Sequence, residues 1–402
     1  MRIALIHDFL IEYGGAERVL EALHEIWPKA PVYTAFFNPD SLGPNVSKFK
    51  SWKIITSWGT RLPVWQKLVS PYRIFSKSFF ESFDLSGFDL VVSSSNMYMA
   101  KAVKVSNGIH ICYCHTPPRF LYGYPTALNW RRNPILRPVG EVINHFMRVW
   151  DFESAQNVDY FIANSKEVQA RIKKFYRRDS VVIYPPVDVK RFAFKSTNAK
   201  RLKTKAAALD VSHSSLDNYF LVVSRLVGAK KVDIVVEVCA KLGLPLKVVG
   251  SGKELENLKK LAEVIPNSDD RKKMVKIEFT GEVSDNELIE LYQNCRAVIF
   301  PAEQEDFGLV PVEAMAAGKP VIALAQGGVL ESVIDASTGS ARCTGVYFSQ
   351  PTVDSLKKAM NRFIELEKKG IFDPEVIQKY AQKFSKERFK REILKFVKGK
   401  TR

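Results

Sequence analysis

The sequence predicts an α/β fold of two doubly wound units, each a parallel sheet covered by helices on both faces. Three observations carry that expectation. Short apolar runs alternate with amphipathic stretches along the chain. The alternation halts at Pro185-Pro186, crosses a polar and basic stretch over roughly Lys190–Asn218, and then starts again. At ~100–200 residues per domain, 402 residues are enough for two.

In the first half, Arg2–Ile6, Leu90–Ser93, Ile109–Cys114, Tyr160–Ala163 and Val181–Tyr184 read as buried strands, because continuous apolar runs suit a sheet covered on both faces. Gly15–Ile26 is the clearest helix, with Val19, Leu20, Leu23 and Ile26 on one stripe. In the second half, strands are expected at Tyr219–Ser224, Leu246–Gly250, Lys276–Thr280, Ala297–Pro301 and Pro320–Ala323. Helices are expected at Lys231–Leu242, Lys253–Val264, Asp285–Asn294 and Pro311–Ala317. Glu375–Lys398 reads as a closing basic helix carrying Tyr380, Phe384, Phe389 and Phe396. The stretch 185–218 reads as a linker; a surface insertion in one large domain is the alternative. Complete alternation on both sides favours the linker.

With 46% apolar and 26% charged residues the chain is neither disordered nor collagen-like. No run approaches the ~20 apolar residues of a membrane span, and MRIALIHDFLIEYGG reads as a first strand rather than a leader. The five cysteines are scattered, and Cys112-Tyr113-Cys114 is CxC, not the zinc-type CxxC. On a strand those two thiols share a face and pack, which fits a reducing compartment. Charge is less ordinary: the total is +17, with about +11 in the first 200 residues. An anionic partner is expected, whether phosphate ligand, membrane surface or nucleic acid.

Ligands of doubly wound sheets sit beyond the carboxyl ends of the strands, so the strand-to-helix turns hold the candidates. Gly14-Gly15 opens the first helix and lets backbone N–H groups approach an anion. It is not GxGxxG, which argues against a nicotinamide cofactor. Arg225 ends a strand and Lys230 starts a helix, and the two can add fixed positive charge at one point, suited to a pyrophosphate. Gly250-Ser-Gly252 follows another strand and either lines a nucleotide or makes a tight turn. The richest turn is Glu303-Gln-Glu305-Asp306-Phe307-Gly308-Leu309-Val310-Pro311-Val312-Glu313. Pro311 fits the first helical position, and Gly318 before Pro320 marks the helix end. Glu305 then lies in the loop and Glu313 in the first turn. Either carboxylate can take two hydrogen bonds from adjacent sugar hydroxyls, while complementing the helix dipole is the plain alternative for Glu313.

These residues resemble a known family. Glu305 and Glu313 have the Glu-x7-Glu spacing of retaining GT-B glycosyltransferases, and EDFGLVPVEAMAAGKPVIA resembles glycosyltransferase family 4. Ser224-Arg225-Leu-x3-Lys230 and Gly14-Gly15-x-Glu17 match the same family in the same order, so the resemblance spans nearly the whole chain. Tyr113-Cys-His115-Thr-Pro-Pro-Arg119-Phe120 resembles a bacterial subgroup that includes mannosyltransferases of polysaccharide assembly. Lys231 stands where members often have Gly or Arg.

The resemblance implies a GT-B fold, two Rossmann-like domains facing each other across a cleft. Residues 1–190 would form the acceptor side and 191–377 the nucleotide-sugar side, with helix 378–402 packing back on the first domain. It implies that Arg225 and Lys230 bind the donor diphosphate and Glu313 the ribose. Glu305 would contact the sugar, and Phe307, Gly308 and Leu309 would cradle sugar and phosphate. His115 would touch the transferred sugar or the leaving phosphate; Gly14, Gly15 and Gly250 complete the donor-binding set. The reaction would retain anomeric configuration. A covalent glycosyl-enzyme through Glu305 is the less favoured route.

The chain contains no Asp-x-Asp to hold Mg²⁺. Fixed cations and helix N-termini would then stabilise the leaving phosphate, so metal independence and no cofactor are expected. The subgroup favours GDP-mannose as donor, with a UDP-hexose as the alternative. A GT-B sugar-nucleotide epimerase is disfavoured by the family 4 context. A nucleic-acid-binding protein is disfavoured because no RNP, helix-turn-helix or zinc signature occurs. Arg61–Phe80 interleaves aromatics with Arg61, Lys67, Arg73 and Lys77 and holds no acid, and Phe120–Trp150 is similar, with Trp130, Arg131 and Arg132. Such segments suit an anionic bilayer surface. The expected setting is therefore cytoplasmic, peripheral on the inner face of the cell membrane, with a lipid-linked or glycan acceptor.

Overall fold

A computed structural model describes residues 1–124, 136–193, 219–264, 277–340 and 342–401. Residues 194–218 of the polar stretch, and Trp130, Arg131 and Arg132, lie outside the described residues. The chain forms two compact units: Met1–Pro186 with Lys386–Arg402, and Val187–Ser385.

In the first unit the described strands form one parallel sheet. They are β1 (Ile3–His7), β2 (Val32–Thr34), β3 (Ile54–Thr56), β4 (Leu90–Ser95), β5 (Ile109–Cys114), β6 (Tyr160–Ala163) and β7 (Ser180–Val182). Their order is β3-β2-β1-β4-β5-β6-β7, so the winding reverses between β1 and β4. Leu5 pairs with Val92, and Val92 with Ile111. The period-2 alternation then divides the sheet's faces. Leu5, Val92, Ile111 and Tyr113 enter one core cluster, and Ala4, Ile6 and Val91 enter another. Cys112 and Cys114 pack together in a third, both buried and unoxidised. Burial pushes the Cys112 thiol up to about 12, which makes it a packing group.

Helix α1 (Gly15–Ile26) buries Val19, Leu20 and Leu23 against the Leu5 face. Helix α2 (Leu136–Gln156) covers the other face by inserting Met147 beside Phe79 and Phe80. The closing segment is two helices, not one. Pro374–Ala381 ends before an extended Ser385, and a new helix, Lys386–Lys400, begins there. Only the latter belongs to the first unit: Phe389, Ile393 and Val397 enter the Leu5 cluster, and Lys386 pairs with Glu25 at 2.9 Å. Tyr380 and Phe384 stay with the second unit, where Phe384 packs on Phe307 with ring centroids 5.6 Å apart.

The second unit repeats the plan with β8 (Phe220–Val223), β9 (Leu246–Val249), β10 (Ile277–Gly281), β11 (Ala297–Phe300), β12 (Val321–Leu324) and β13 (Gly345–Phe348). Its order is β10-β9-β8-β11-β12-β13, which reverses between β8 and β11. Helices Val232–Leu242 and Val353–Lys368 pack Val235, Val236, Leu356 and Phe363 on one face, around Phe220, Val248 and Ile299. Residues just after Pro186 join this unit rather than the first. Phe192 packs on Tyr292 at 5.4 Å, and Arg191 pairs with Asp285 at 2.7 Å.

Candidate functional site

In each unit the winding reverses, and in sheets of this kind the crevice that receives ligands lies there, at the strands' carboxyl ends. In the second unit it lies between β8 and β11. The turn after β8 carries Arg225, exposed, and then a 3-10 turn, Gly228–Lys230. The Lys230 ammonium reaches across to Glu305, in the loop after β11, with Nζ 2.6 Å from Oε2. Both side chains are about one-fifth exposed. Lys231 lies 3.8 Å from Glu303, and the Glu303 N–H donates to the Ala229 carbonyl at 3.2 Å. The two loops that flank the crevice are thus laced together.

Gly250 has a steric reason to be glycine. Its φ is +126°, and a Cβ there would lie 2.0 Å from the Ser224 carbonyl oxygen, so only glycine lets the turns after β8 and β9 stack. Gly308, at φ +84°, is the N-cap of helix α3 (Leu309–Ala316). That moves the helix start two residues before Pro311, which takes the third helical position. Its missing N–H falls among the unpaired first four. Glu313 accordingly lies in the second turn, not the first. It is 3% exposed and accepts the Tyr292 hydroxyl at 2.8 Å. Phe307 is buried as well. The structure thus brings Lys230 to Glu305 and seats Glu313 deeper in the same strand-end region.

In the first unit the candidates fall at the other reversal. The Gly14 N–H donates to Glu17 Oε2 at 2.7 Å, so this amide is engaged by the first helical turn itself. Gly15 is the first residue of α1. From Glu17 a buried polar chain runs across the ends of β1, β4 and β5. Glu17 Oε1 lies 3.3 Å from His7 Nε2, His7 Nδ1 lies 3.0 Å from Ser94 Oγ, and Ser94 Oγ lies 2.8 Å from His115 Nε2. All four residues are 7% exposed or less.

A carboxylate only accepts, so His7 Nε2 donates to Glu17. The His7–Ser94 and Ser94–His115 bonds complete the chain, and the ring tautomers set their direction. Burial and the neighbouring His7 push the His115 pKa down to about 3, so this ring does not act as a cation. Nothing in the local sequence announces His7, Ser94 or Tyr292. The usable signal is that His7 is the polar end of an otherwise apolar strand, and Ser94 lies in the serine run that ends β4.

This arrangement has a pH signature. Burial also pushes His110 down to about 4. Both rings have folded pKa values below the unfolded 6.5, so the unfolded chain binds more protons below that pH. Their contribution to stability is complete above about pH 6.5 and is lost as the pH falls toward 4. The urea midpoint is expected to drop between about pH 7.5 and 5. A flat midpoint over that range contradicts the burial of these rings.

Residues 13–191 match the family described as Glycosyltransferase Family 4, and residues 203–384 match Glycosyl transferases group 1. The chain belongs to the GT-B glycosyltransferases of this group 1 and family 4 type. Its relatives include the D-inositol 3-phosphate glycosyltransferase of Mycobacterium leprae, 30% identical over 52% of this chain and 45% of that protein. The alpha-1,3/1,6-mannosyltransferase of Dictyostelium discoideum is 34% identical over 27% of this chain and 24% of its own. The matched stretches span less than half of either relative. Among solved structures, Anabaena HepE, in complex with UDP and glucose, aligns over 99% of this glycosyltransferase-family chain and 100% of its own. The TM-score is 0.68 at 18% identity, which shows the fold.

Proposed function

We propose that the protein transfers a hexose from a nucleoside-diphosphate sugar to a lipid-linked or glycan acceptor, with GDP-mannose as the donor. The observation that carries this reading is the Lys230–Glu305 pair at the β8/β11 reversal, followed by the buried Glu313 in the helix after the same loop. A cation, a carboxylate about one-fifth exposed and a buried carboxylate suit the three parts of such a donor. Lys230 and Arg225 take the diphosphate, Glu305 the sugar hydroxyls and Glu313 the ribose.

As the C1–O bond breaks, negative charge collects on the departing phosphate. Lys230, Arg225 and the N–H groups that open α3 at Gly308–Leu309 then bind the transition state more strongly than the ground state. Glu305 carries the opposite sign, faces the sugar, and is freed when Lys230 turns to the phosphate. His115, buried and neutral, would hydrogen-bond a sugar hydroxyl through its other ring nitrogen. The family supports attack from the leaving-group face with retention of configuration. The lack of Asp-x-Asp in the sequence supports metal independence. A UDP-hexose is the second reading, favoured by the likeness to HepE, whose structure is a complex with UDP and glucose. The lipid-linked acceptor would place the enzyme at the inner, anionic face of the cell membrane.

The test incubates the protein with a panel of labelled nucleotide sugars and a bacterial lipid extract, with and without EDTA. Label from GDP-mannose is expected in the lipid or glycan fraction at equal rates in both. Transfer from UDP-hexoses alone replaces the donor, EDTA loss restored by Mg²⁺ refutes metal independence, and no transfer from any donor overturns the reading.

A further inference from the structure

Among the described residues fifteen large apolar side chains are exposed, and nine of these lie in two segments of the first unit. Val64, Leu68, Ile74 and Phe75 flank or lie on the short turns Trp65–Leu68 and Pro71–Phe75. Val139, Val142, Ile143, Phe146 and Val149 lie on α2, between 39% and 62% exposed. Their three-and-four spacing draws one stripe down the helix. The opposite face holds Met147, Asp151 and Ala155, all buried. Asp151 accepts from the fully buried Lys101 and from the Tyr122 hydroxyl, so α2 is fastened inward through a charged lock. A surface helix of a soluble domain turns its apolar stripe to the core; α2 turns one outward as well. The two segments adjoin, because Lys77, just past the second turn, pairs with Glu153 of α2 at 3.0 Å.

The charges beside this face are mainly positive. Arg61, Lys67 and Arg137 are exposed, and no acid occurs between Ser57 and Phe80. The other two cations expected for a membrane surface are used internally. Arg73 lies over the Phe120 ring at 4.6 Å, and Lys77 holds Glu153. A second copy of the chain fits poorly, since a two-fold contact sets the same patch against itself and brings like charges together. An anionic bilayer supplies both missing complements.

We propose that this face docks the protein on an anionic lipid surface. α2 lies in the interface plane with Phe146 and its neighbours in the acyl boundary, and Arg61, Lys67 and Arg137 meet lipid phosphates. No described helix is long and apolar enough to cross a membrane. The proposal deepens the lipid-linked acceptor reading by naming the face that meets the lipid. Docking is measured with no sugar donor present, so its failure leaves the transfer chemistry standing, and the reverse.

The experiment is sedimentation with phosphatidylcholine vesicles, with and without phosphatidylglycerol, at low and physiological salt. Wild type is expected to bind the anionic vesicles and release with salt. Val142→Ser/Phe146→Ser should bind at least about tenfold more weakly, and each of Arg61→Ser, Lys67→Ser and Arg137→Ser about fivefold more weakly. All replaced side chains are exposed, so melting temperatures should match wild type. In the single variant Phe146→Trp, tryptophan emission should shift blue on vesicle addition. No binding at low salt, equal binding to neutral vesicles, or unweakened binding of the double serine variant overturns the proposal. So does a dimer in sedimentation equilibrium that the double variant abolishes, if vesicles do not compete with it.

Discussion

Lys230→Ala is expected to lower sugar transfer roughly 30- to 1,000-fold, about 2–4 kcal/mol of transition-state stabilisation, as loss of one preorganised hydrogen-bond donor does. The reason is the position of its ammonium, at the strand reversal and 2.6 Å from Glu305. Folding should scarcely notice the change. The pair is partly solvated, and such surface pairs contribute about 0–1 kcal/mol to stability. The melt should therefore stay cooperative and near the wild-type temperature. Arg225→Ala should show the same split, since its side chain is exposed. Glu305→Gln is the internal control: it removes the pair but leaves the cation, so turnover falls without loss of diphosphate affinity. Wild-type rates in Lys230→Ala or Arg225→Ala contradict the diphosphate role.

The second large effect is on stability. Asp151→Ala is expected to cost about 3–5 kcal/mol, a large part of the ~5–15 kcal/mol that holds a domain folded. Lys101 and Asp151 are both 0% exposed. Burial alone pushes the Lys101 ammonium down, but Asp151 overrides it, and the net shift is upward. Removing the carboxylate strands a charge in the core and leaves the Tyr122 hydroxyl without that acceptor. Lys101 cannot easily swing out. Its turn follows the left-handed Met99, and the Asp8 carboxylate clamps the N–H groups of Asn96, Tyr98 and Ala100 at 2.8, 2.8 and 2.9 Å. Urea unfolding measures the loss. Lys101→Met with Asp151→Leu should recover most of it, because an apolar pair leaves no charge buried. A loss below about 1 kcal/mol for Asp151→Ala contradicts the lock, and such a small loss is what the exposed Lys77–Glu153 pair should show.

Much of this architecture is legible in the sequence. Strands such as Ile109–Cys114, apolar but for His110, and Tyr160–Ala163 are short apolar runs, and their boundaries agree with the structure. Other elements are not legible for definite reasons. β2 and β3 have three residues each, too few for periodicity to register, although Val32, Tyr33, Ile54 and Ile55 pack with the core once the strands pair. The closing helix looks continuous because its aromatics keep a helical spacing. The break at Ser385 comes from the chain leaving one core for another, a tertiary demand with no local signal. Pro311 suggests a helix start, yet the positive-φ Gly308 just before it in the loop supplies the cap. At the site, Lys230, Glu305 and Glu313 stand out because charged residues interrupt apolar strand-to-helix turns. Tyr292 does not, since it lies on a separate helix and meets Glu313 only in the folded unit. The basic segment Arg61–Phe80 shows the converse. Its composition suggests four surface cations, and packing against Phe120 and Glu153 leaves two exposed.

The β8/β11 reversal is expected to hold a nucleoside diphosphate against Lys230. Calorimetric titration of GDP and UDP into the wild type and Lys230→Ala, without metal, measures this. One nucleotide per chain is expected, with GDP tighter than UDP and binding at least about tenfold weaker in the variant, equivalent to about 1.4 kcal/mol. Failure of either nucleotide to bind at millimolar concentration, or equal affinity in Lys230→Ala, would rule out a diphosphate site at Lys230.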